Sequence, residues 1–223
     1  MKVIDIESAK LALDKNEFIE FDKKTLILAS GSVSRFKIMK NSGLNFIAIP
    51  SLADEEGIKK DFGLVNTKEK AIEYVKLLAS KKGNWLKERV RNAVIISADT
   101  VAFYKDELLE KPKDEADARR IFNALSESVH IAITGVSIID EEKEDNFSVM
   151  SDVKMLKIEE ELQDILVKDK LTYTYAGGYC VDGNLGDKAI VSKGDFNNVM
   201  GLPIEIILEK LKEAGYDFST KTK

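Results

Sequence analysis

The 223-residue sequence is poor in several residue types, and each shortage narrows the possibilities. Its one cysteine, Cys180, cannot form a disulfide within the chain. One histidine, His130, and one cysteine are too few for a zinc site of the usual ligand type. Any bound metal is therefore expected to be held by carboxylates.

Long apolar runs are also missing from the sequence. No run approaches the roughly 18 residues needed to cross a bilayer. Residues 1–15 mix acids and bases without the apolar core of a secretory signal. We therefore expect no membrane partner and predict a cytoplasmic protein.

Positive charge is in short supply as well, because 34 Lys and Arg face 39 Asp and Glu, a net charge of −5. This balance argues against a surface that follows a nucleic-acid backbone, so no nucleic-acid partner is expected. A small anionic substrate would need cations placed locally in its binding site.

Helical and strand patterns alternate along the chain, which predicts an α/β fold. Two long strand patterns, over 131–139 and 147–158, are joined by an acidic turn, and such a hairpin makes the sheet mixed. We expect a mixed twisted sheet with flanking helices. A shorter strand is predicted over 45–50, and a polar loop over 51–56.

The most informative stretch is residues 26–35, Leu-Ile-Leu-Ala-Ser-Gly-Ser-Val-Ser-Arg. Its apolar half predicts a buried strand, and its Ser-rich half predicts a turn into a helix over 34–41. Unpaired N–H groups and the dipole at a helix N-terminus favour an anion, so a phosphate site is one interpretation. An ordinary capped turn is the other, because the pattern matches neither a Walker loop nor a dinucleotide motif.

A second candidate site follows the apolar run 93–97, where Ala98-Asp99-Thr100 comes next. A carboxylate beside a buried strand needs partners or a metal. Ligands collect at the carboxyl ends of strands in open α/β sheets. Asp99, predicted to follow the end of a strand, is therefore the first candidate for a catalytic residue.

Several weaker signals concern helix ends and glycines. A helix capped by Asn66 is predicted to close with Ser80, Lys81 and Lys82. Lys111 precedes a helix over 115–125 capped by Asp114, an unfavourable place for a cation unless an anion lies nearby. Gly177-Gly178 and the turn 182–186 are predicted to let the backbone approach a ligand. His130 is predicted to pack or to hydrogen-bond rather than to bind a ligand.

Four motifs, in order along the chain, resemble the signatures of the Maf family of nucleoside triphosphate pyrophosphatases. They are L-A-S-G-S-x-x-R at 28–35, S-A-D-T at 97–100, E-K-P-K-D at 110–114 and N-V-M-G-L-P at 198–203. The resemblance implies an inosine triphosphate pyrophosphatase-like fold with two lobes around a cleft. It also implies a homodimer, a divalent cation (Mg²⁺, Mn²⁺ or Co²⁺), and hydrolysis of a normal or modified nucleoside triphosphate to monophosphate and pyrophosphate.

The resemblance also implies roles for individual residues. The catalytic residues would be Asp99, Lys82 and Lys111, with Lys81 as the fallback for Lys82 and Asp99 as the metal ligand. The substrate-binding residues would be Ser30, Gly31, Ser32, Arg35, Thr100, Asp54, Glu55 and Asp182. We expect Asp99 and the Ser-rich turn to face one cleft.

Three positions depart from the family pattern. Ser34 stands where an Arg is common and Tyr175 where a Lys is usual, so two cations expected near the triphosphate are missing. Asp182 replaces a Gln or Glu associated with reading the base, so base preference does not carry over. The alternative is a weakly active or inactive nucleotide-binding regulator of cell division, in line with the family's older label of septum formation inhibitor.

The same resemblance divides the chain into three parts. Residues 1–24 are predicted to be an N-terminal extension, residues 25–219 the pyrophosphatase domain, and residues 220–223 a disordered tail.

Overall fold

The structure is a computed structural model that describes residues 18–219. Most of the predicted extension and all of the predicted tail lie outside the described residues. The first strand begins at Ile19, so residues 19–24 run in the central sheet. Within the described part of the chain, no helix combines the length and the apolar character needed to cross a bilayer.

The described residues form seven strands and seven α-helices. The strands are β1 (Ile19–Leu28), β2 (Ile47–Ala48), β3 (Val90–Tyr104), β4 (Glu107–Leu109), β5 (Val129–Ile139), β6 (Glu144–Met155) and β7 (Ala189–Lys193). The helices are α1 (Val33–Asn41), α2 (Glu55–Phe62), α3 (Lys68–Lys87), α4 (Glu115–Leu125), α5 (Glu160–Leu166), α6 (Phe196–Val199) and α7 (Ile204–Glu213). Two 3₁₀ turns, Lys170–Thr174 and Ala176–Gly178, precede β7.

All seven strands form one sheet in the order β2-β1-β3-β5-β6-β7, with β4 paired to β3. β1 is parallel to both β2 and β3, whereas β5, β6 and β7 are added antiparallel. This arrangement confirms the predicted mixed α/β sheet. The hairpin of β5 and β6 is the source of the antiparallel part, as its sequence pattern indicates.

One edge of β3 is open in its middle. β3 pairs with β1 up to Ile96 and with β4 from Ala102 onwards. Residues 97–101 therefore have no strand neighbour on that side, although β5 pairs with them on the other. Asp99 lies in this gap, so the prediction that it follows the end of its own strand was wrong. The strand that ends beside it is β1.

The two faces of the sheet carry different helices. Ile96 and Ala98 of β3 share a core cluster with Met39 of α1 and Ile207 of α7. Ile95 lies in another cluster with Leu86 of α3. Because side chains alternate along a strand, Thr100 lies on the face of α1 and α7 and Asp99 on the face of α3.

Helix α3 differs from its prediction at both ends. Its N-cap is Thr67 rather than Asn66, and the Thr67 hydroxyl accepts from the Lys70 N–H. The helix does not close at Lys82 but continues through Gly83 to Lys87. A Cβ at Gly83 would lie 2.6 Å from Ile139 Cδ1 and 2.7 Å from Ser97 Oγ. Gly83 therefore allows close contact between helix and sheet rather than ending the helix.

The region between α1 and α3 also departs from expectation. The strand predicted over 45–50 is reduced to the two residues of β2. The loop predicted over 51–56 turns into α2 at Glu55, with Asp54 as the N-cap accepting from the Gly57 N–H at 2.9 Å. By contrast, α4 runs as predicted with Asp114 as its cap.

Candidate functional site

A cleft of about 940 Å³ opens at the gap in the sheet. It is lined by the turn after β1, the first turns of α1 and α2, one side of α3, the middle of β3, and residues 110, 111, 113, 174–176, 179–181 and 199–201. Nine of the eleven predicted site residues line it: Ser30, Gly31, Ser32, Arg35, Glu55, Lys82, Asp99, Thr100 and Lys111. The Ser-rich turn and Asp99 therefore do share one cleft.

Short-range hydrogen bonds hold the turn after β1. Ser30 Oγ accepts from the Ser32 N–H at 3.1 Å, and Ser32 caps α1 by accepting from the Arg35 N–H. The N–H groups of Val33 and Ser34, at the first turn of the helix, have no acceptor within residues 18–219. Such orphan donors at a helix N-terminus are suited to an anion.

Arg35 is the cation of this part of the cleft. Its guanidinium donates to Gly201 O at 2.8 Å, to Thr100 Oγ1 at 3.1 Å and to Ser30 Oγ at 3.4 Å. Burial lowers the pKa of Arg35, while the charges of Asp99 and Glu55 act in the opposite direction. The group stays charged, because an arginine does not lose its proton in a protein. The three acceptors fix its plane and leave its other donors free for a phosphate.

The N-V-M-G-L-P motif holds Arg35 in place, because Gly201 within it accepts a hydrogen bond from Arg35 Nε. The sequence alone did not indicate this role. Gly201 has a φ of +103°, and a Cβ there would lie 3.3 Å from both Arg35 Nε and Thr100 Oγ1. Thr100 Oγ1 contacts Thr134 Oγ1 at 2.9 Å, and Thr134 donates to Asn198 O at 3.0 Å. The glycine inside the motif was the available signal, because only a residue without a Cβ fits both the space and the φ.

An ion-pair cluster occupies the side of the cleft formed by α3. Lys82 Nζ lies 2.6 Å from Asp99 Oδ1 and 2.9 Å from Glu55 Oε2. The side chains of Lys82 and Asp99 are 10% and 14% exposed, whereas that of Glu55 is 53% exposed. Lys81 is exposed and does not line the cleft. Of the two lysines, Lys82 is therefore the one that lies in the cleft, because the helix continues past both and turns Lys82 towards the sheet.

The remaining charges lie around residues 110–113. Glu110 forms an ion pair with Lys59 of α2. Lys111 and Lys113 are exposed, and neither has an ion-pair partner among the described residues. Tyr74 of α3 also lines the cleft, and burial, followed by the charges of Glu110, Asp99, Glu55 and Glu56, raises its pKa. Sequence reasoning missed Tyr74, since it lies on the apolar face of its helix.

The two positions that lack the expected cations lie against each other. The side chains of Ser34 and Cys180 lie beside the Tyr175 hydroxyl. Burial and the neighbouring Cys180 raise the pKa of Tyr175, so its hydroxyl stays protonated at neutral pH. This part of the cleft is therefore neutral and lined by hydroxyl groups.

Some predicted site residues lie elsewhere. Asp54 is the cap of α2 and Asp182 lies in an exposed turn, and neither lines the cleft. The prediction that Gly177 and Gly178 admit a ligand was wrong, because neither lines the cleft and a Cβ on Gly178 would lie 3.1 Å from both Phe122 and Pro112. The close approach that these glycines permit is between parts of the protein.

His130 behaves as predicted, as a packing and hydrogen-bonding residue. It is 1% exposed, and its Nε2 lies 2.6 Å from the Tyr179 hydroxyl. Burial lowers the pKa of His130 to about 4, so the ring is neutral at neutral pH.

The donor set in the cleft can be tested against a divalent cation. Within residues 18–219, no cluster of three or more His, Cys, Asp or Glu could hold a metal by itself. Asp99 and Glu55 share Lys82 as a partner and so bring two carboxylates together. Mg²⁺ usually binds through one or two carboxylates together with substrate phosphates and water. The residues fit a cation shared with a phosphorylated substrate, and they do not fit a cage made by the protein alone.

A mixed α/β sheet whose open edge brings a helix N-terminus, an arginine and paired carboxylates into one cleft defines an α/β protein with a site suited to phosphate groups. Comparison with known families agrees with this class. The profile of the family described as Maf-like protein matches residues 25–214. The chain therefore belongs to the Maf family.

The curated relatives cover most of the chain and nearly all of their own length. A protein of Acholeplasma laidlawii named dTTP/UTP pyrophosphatase is 32% identical over 189 residues, 84% of this chain and 95% of its own. Proteins with the same name from Thermococcus kodakarensis and Dictyoglomus turgidum are 35% and 33% identical, over 86% and 87% of this chain and 97% and 98% of theirs.

Proposed function

We propose that this protein is a nucleoside triphosphate pyrophosphatase, which hydrolyses the bond between the α and β phosphates and releases a nucleoside monophosphate and pyrophosphate. The observation that carries the proposal is the gap between β1 and β4. It brings the anion-binding start of α1 and the Asp99–Lys82 pair into a single cleft. The names of the relatives support the same reaction.

The turn after β1 would hold phosphate oxygens. The free N–H groups of α1, the hydroxyls of Ser30 and Ser32, and the remaining donors of Arg35 supply hydrogen bonds without moving, because local bonds already fix them. Donors that are fixed in advance stabilise developing charge without a cost for reorganisation. Thr100 would help to hold the phosphate together with Arg35, since the two side chains are already hydrogen-bonded.

Asp99 would orient the attacking water and accept its proton. Lys82, at 2.6 Å, holds this carboxylate in one position. Lys111, exposed and without an ion-pair partner in the described part of the chain, would approach the leaving pyrophosphate. When bound, a divalent cation such as Mg²⁺, Mn²⁺ or Co²⁺ would supply charge neutralisation, with Asp99 and Glu55 as its protein ligands.

The base preference follows less directly from the site. Asp182, the position linked to the base by family resemblance, does not line the cleft. Because the relatives carry the name dTTP/UTP pyrophosphatase, dTTP and UTP are the first substrates we propose.

The test is pyrophosphate release from dTTP, UTP, other normal triphosphates and modified ones, each with Mg²⁺, Mn²⁺ or Co²⁺. We expect the wild type to release pyrophosphate. We expect Asp99→Asn to lower kcat by about 10²–10⁴-fold, because a general base is typically worth that factor. Asp106→Asn is the matched control, since Asp106 is exposed in the turn between β3 and β4. An Asp99→Asn protein that turns over at the wild-type rate would contradict the assignment.

A second candidate function is a nucleotide-binding regulator with weak or no hydrolysis, and the neutral Ser34–Tyr175 contact favours it. The two functions separate on one comparison. A regulator would bind a non-hydrolysable triphosphate by calorimetry yet release no pyrophosphate with any of the three cations, whereas an enzyme would do both.

The remaining expectations are proposals with simple tests. The cytoplasmic location is proposed from the hydropathy of the sequence. The homodimer is proposed from family resemblance, and analytical ultracentrifugation would test it. The division at residues 24 and 219 stays a prediction, and limited proteolysis followed by mass spectrometry would test it.

A further inference from the structure

We infer that Tyr179, held by His130, is a positioning residue for Lys111. The inference rests on the proposed function, because Lys111 takes its role from that reaction. It concerns a chain of contacts that runs from His130 on β5 through Tyr179, which itself lines the cleft, to residues 110–112.

The first contact fixes the Tyr179 side chain. Its hydroxyl is 2.6 Å from His130 Nε2, and the two rings meet edge to face with their centroids 5.4 Å apart. Both residues are buried, and His130 sits on a strand that is paired along both edges. Within the described residues, His130 Nδ1 has no partner. Among residues 18–219, Tyr179 is therefore the only hydrogen-bonding partner of this ring.

The second contact transmits that position to Glu110. Gly177 has a φ of +71°, and a Cβ there would lie 3.2 Å from Tyr179 Cε1. The Tyr179 ring therefore packs closely over the Gly177 backbone. The Gly177 N–H in turn donates to Glu110 O at 3.0 Å. Moving the ring would move this amide and the carbonyl it holds.

The third contact fixes the other side of Lys111. A Cβ on Gly178 would lie 3.1 Å from Pro112 Cγ, so this glycine and Pro112 are in tight contact. Lys111 is thus held by its two neighbours, Glu110 through a hydrogen bond and Pro112 through packing. Its side chain remains exposed in the cleft. The backbone on both sides of Lys111 is therefore held by contacts, although Lys111 itself is exposed.

Loss of the Tyr179 hydroxyl should loosen this chain without emptying the core, because Phe retains the ring. A displacement of about 1 Å of a group in an active site can cost about 10²-fold in rate. For an exposed and flexible lysine we expect a smaller loss, about tenfold in kcat/KM. The loss should fall mainly on kcat, since the proposed contact of Lys111 is with charge that develops on the leaving group.

The test is a double-mutant cycle of Tyr179→Phe and Lys111→Met. Tyr179→Phe should lower kcat/KM about tenfold in the wild-type background and less than twofold when Lys111 is already Met. Tyr173→Phe is the matched control, because the Tyr173 hydroxyl donates to Val167 O at 2.7 Å and does not line the cleft. It should leave kcat/KM unchanged in both backgrounds. Equal losses from Tyr179→Phe in the two backgrounds, or no loss, would overturn the inference.

A binding measurement separates this inference from the proposed function. If the wild type binds α,β-methylene-dTTP but releases no pyrophosphate from any triphosphate, the proposed hydrolysis fails. The same cycle is then read from dissociation constants by calorimetry. Coupling between Tyr179→Phe and Lys111→Met in those constants would support the positioning role, and independent effects would overturn it. No binding by the wild type would overturn both.

Discussion

The cleft has two parts that treat charge differently. The first part, which we call the hydroxyl-lined side, offers neutral donors and a single cation. It consists of Arg35 and the surrounding residues Ser30, Ser32, Ser34, Thr100 and Tyr175. The second part, which we call the ion-pair side, consists of ion pairs within the protein. Its residues are Glu55, Lys59, Lys82, Asp99 and Glu110.

The difference teaches where a substrate's charge must be met. Lys82 and Lys59 are already paired with carboxylates, so little of their charge is left for a phosphate. Arg35 contacts only neutral acceptors and keeps its full charge available. The hydroxyl-lined side is therefore suited to holding the substrate, and the ion-pair side to holding the reactive carboxylate. The predictions below test this division from the largest expected effect to the smallest.

On the ion-pair side, Lys82→Met should have the largest effect on activity. Removing this ammonium leaves Asp99 beside the Glu55 carboxylate without its ion-pair partner, so we expect a loss in kcat of about 10²-fold or more. Leaving a buried charge unpaired should also lower the free energy of unfolding by about 1–3 kcal/mol. Urea denaturation and pyrophosphate release measure the two effects. Lys81→Met, one residue away and exposed, should change neither, and a similar loss in both variants would contradict the selection of Lys82.

On the hydroxyl-lined side, Arg35→Lys should have the second-largest effect on activity. A lysine keeps the charge but cannot reach Gly201, Thr100 and Ser30 together with planar donors. We expect KM to rise and kcat/KM to fall by about 10–100-fold, with little change in stability. Arg119→Lys, in an exposed pair on α4, is the matched control. Wild-type kinetics in Arg35→Lys would show that charge alone, and not the fork of donors, serves this part of the cleft.

Adding a positive charge to the hydroxyl-lined side should raise kcat/KM rather than lower it. Tyr175→Lys or Ser34→Arg places a cation where two hydroxyls now meet, and one charge-assisted bond to phosphate should raise kcat/KM about tenfold. Tyr175→Met has a similar length without the charge and should give no gain. If Tyr175→Met gains as much as Tyr175→Lys, the effect comes from opening the cleft and the comparison of charges fails.

Salt should produce the smallest effect and should act mainly through the exposed Lys111. Raising ionic strength from about 0.1 M to about 1 M shortens the Debye length from about 10 Å to about 3 Å. We expect KM of the wild type to rise about two- to threefold, mainly through loss of attraction by Lys111. The rise should be smaller in Lys111→Met and unchanged in Tyr175→Met. A salt response that survives Lys111→Met would assign the exposed attraction to another cation.

Much of the fold could be predicted because its signals are local. The cap at Asp114, the hairpin of β5 and β6, and the Ser-rich start of α1 depend on neighbours within a few residues. The errors arose where distant contacts overrule local patterns. Lys81 and Lys82 resemble a helix end followed by glycine, yet contact of Gly83 with Ser97 and Ile139 carries the helix onward. β2 pairs with β1 over only two residues, whereas the start of α2 does carry a local signal, the Asp54 cap, which the sequence interpretation missed.

The sequence by itself determined the residue types of the site, because a helix start rich in serine, an arginine one turn later and a carboxylate beside a buried strand are readable from local chemistry. The tertiary structure decided which of them meet. Asp99 and Thr100 face different sides of β3, and both reach one cleft only because β1 ends before them and β4 begins after them. Such a gap follows from the pairing of strands far apart in the chain. No spacing of residues along the sequence specifies it.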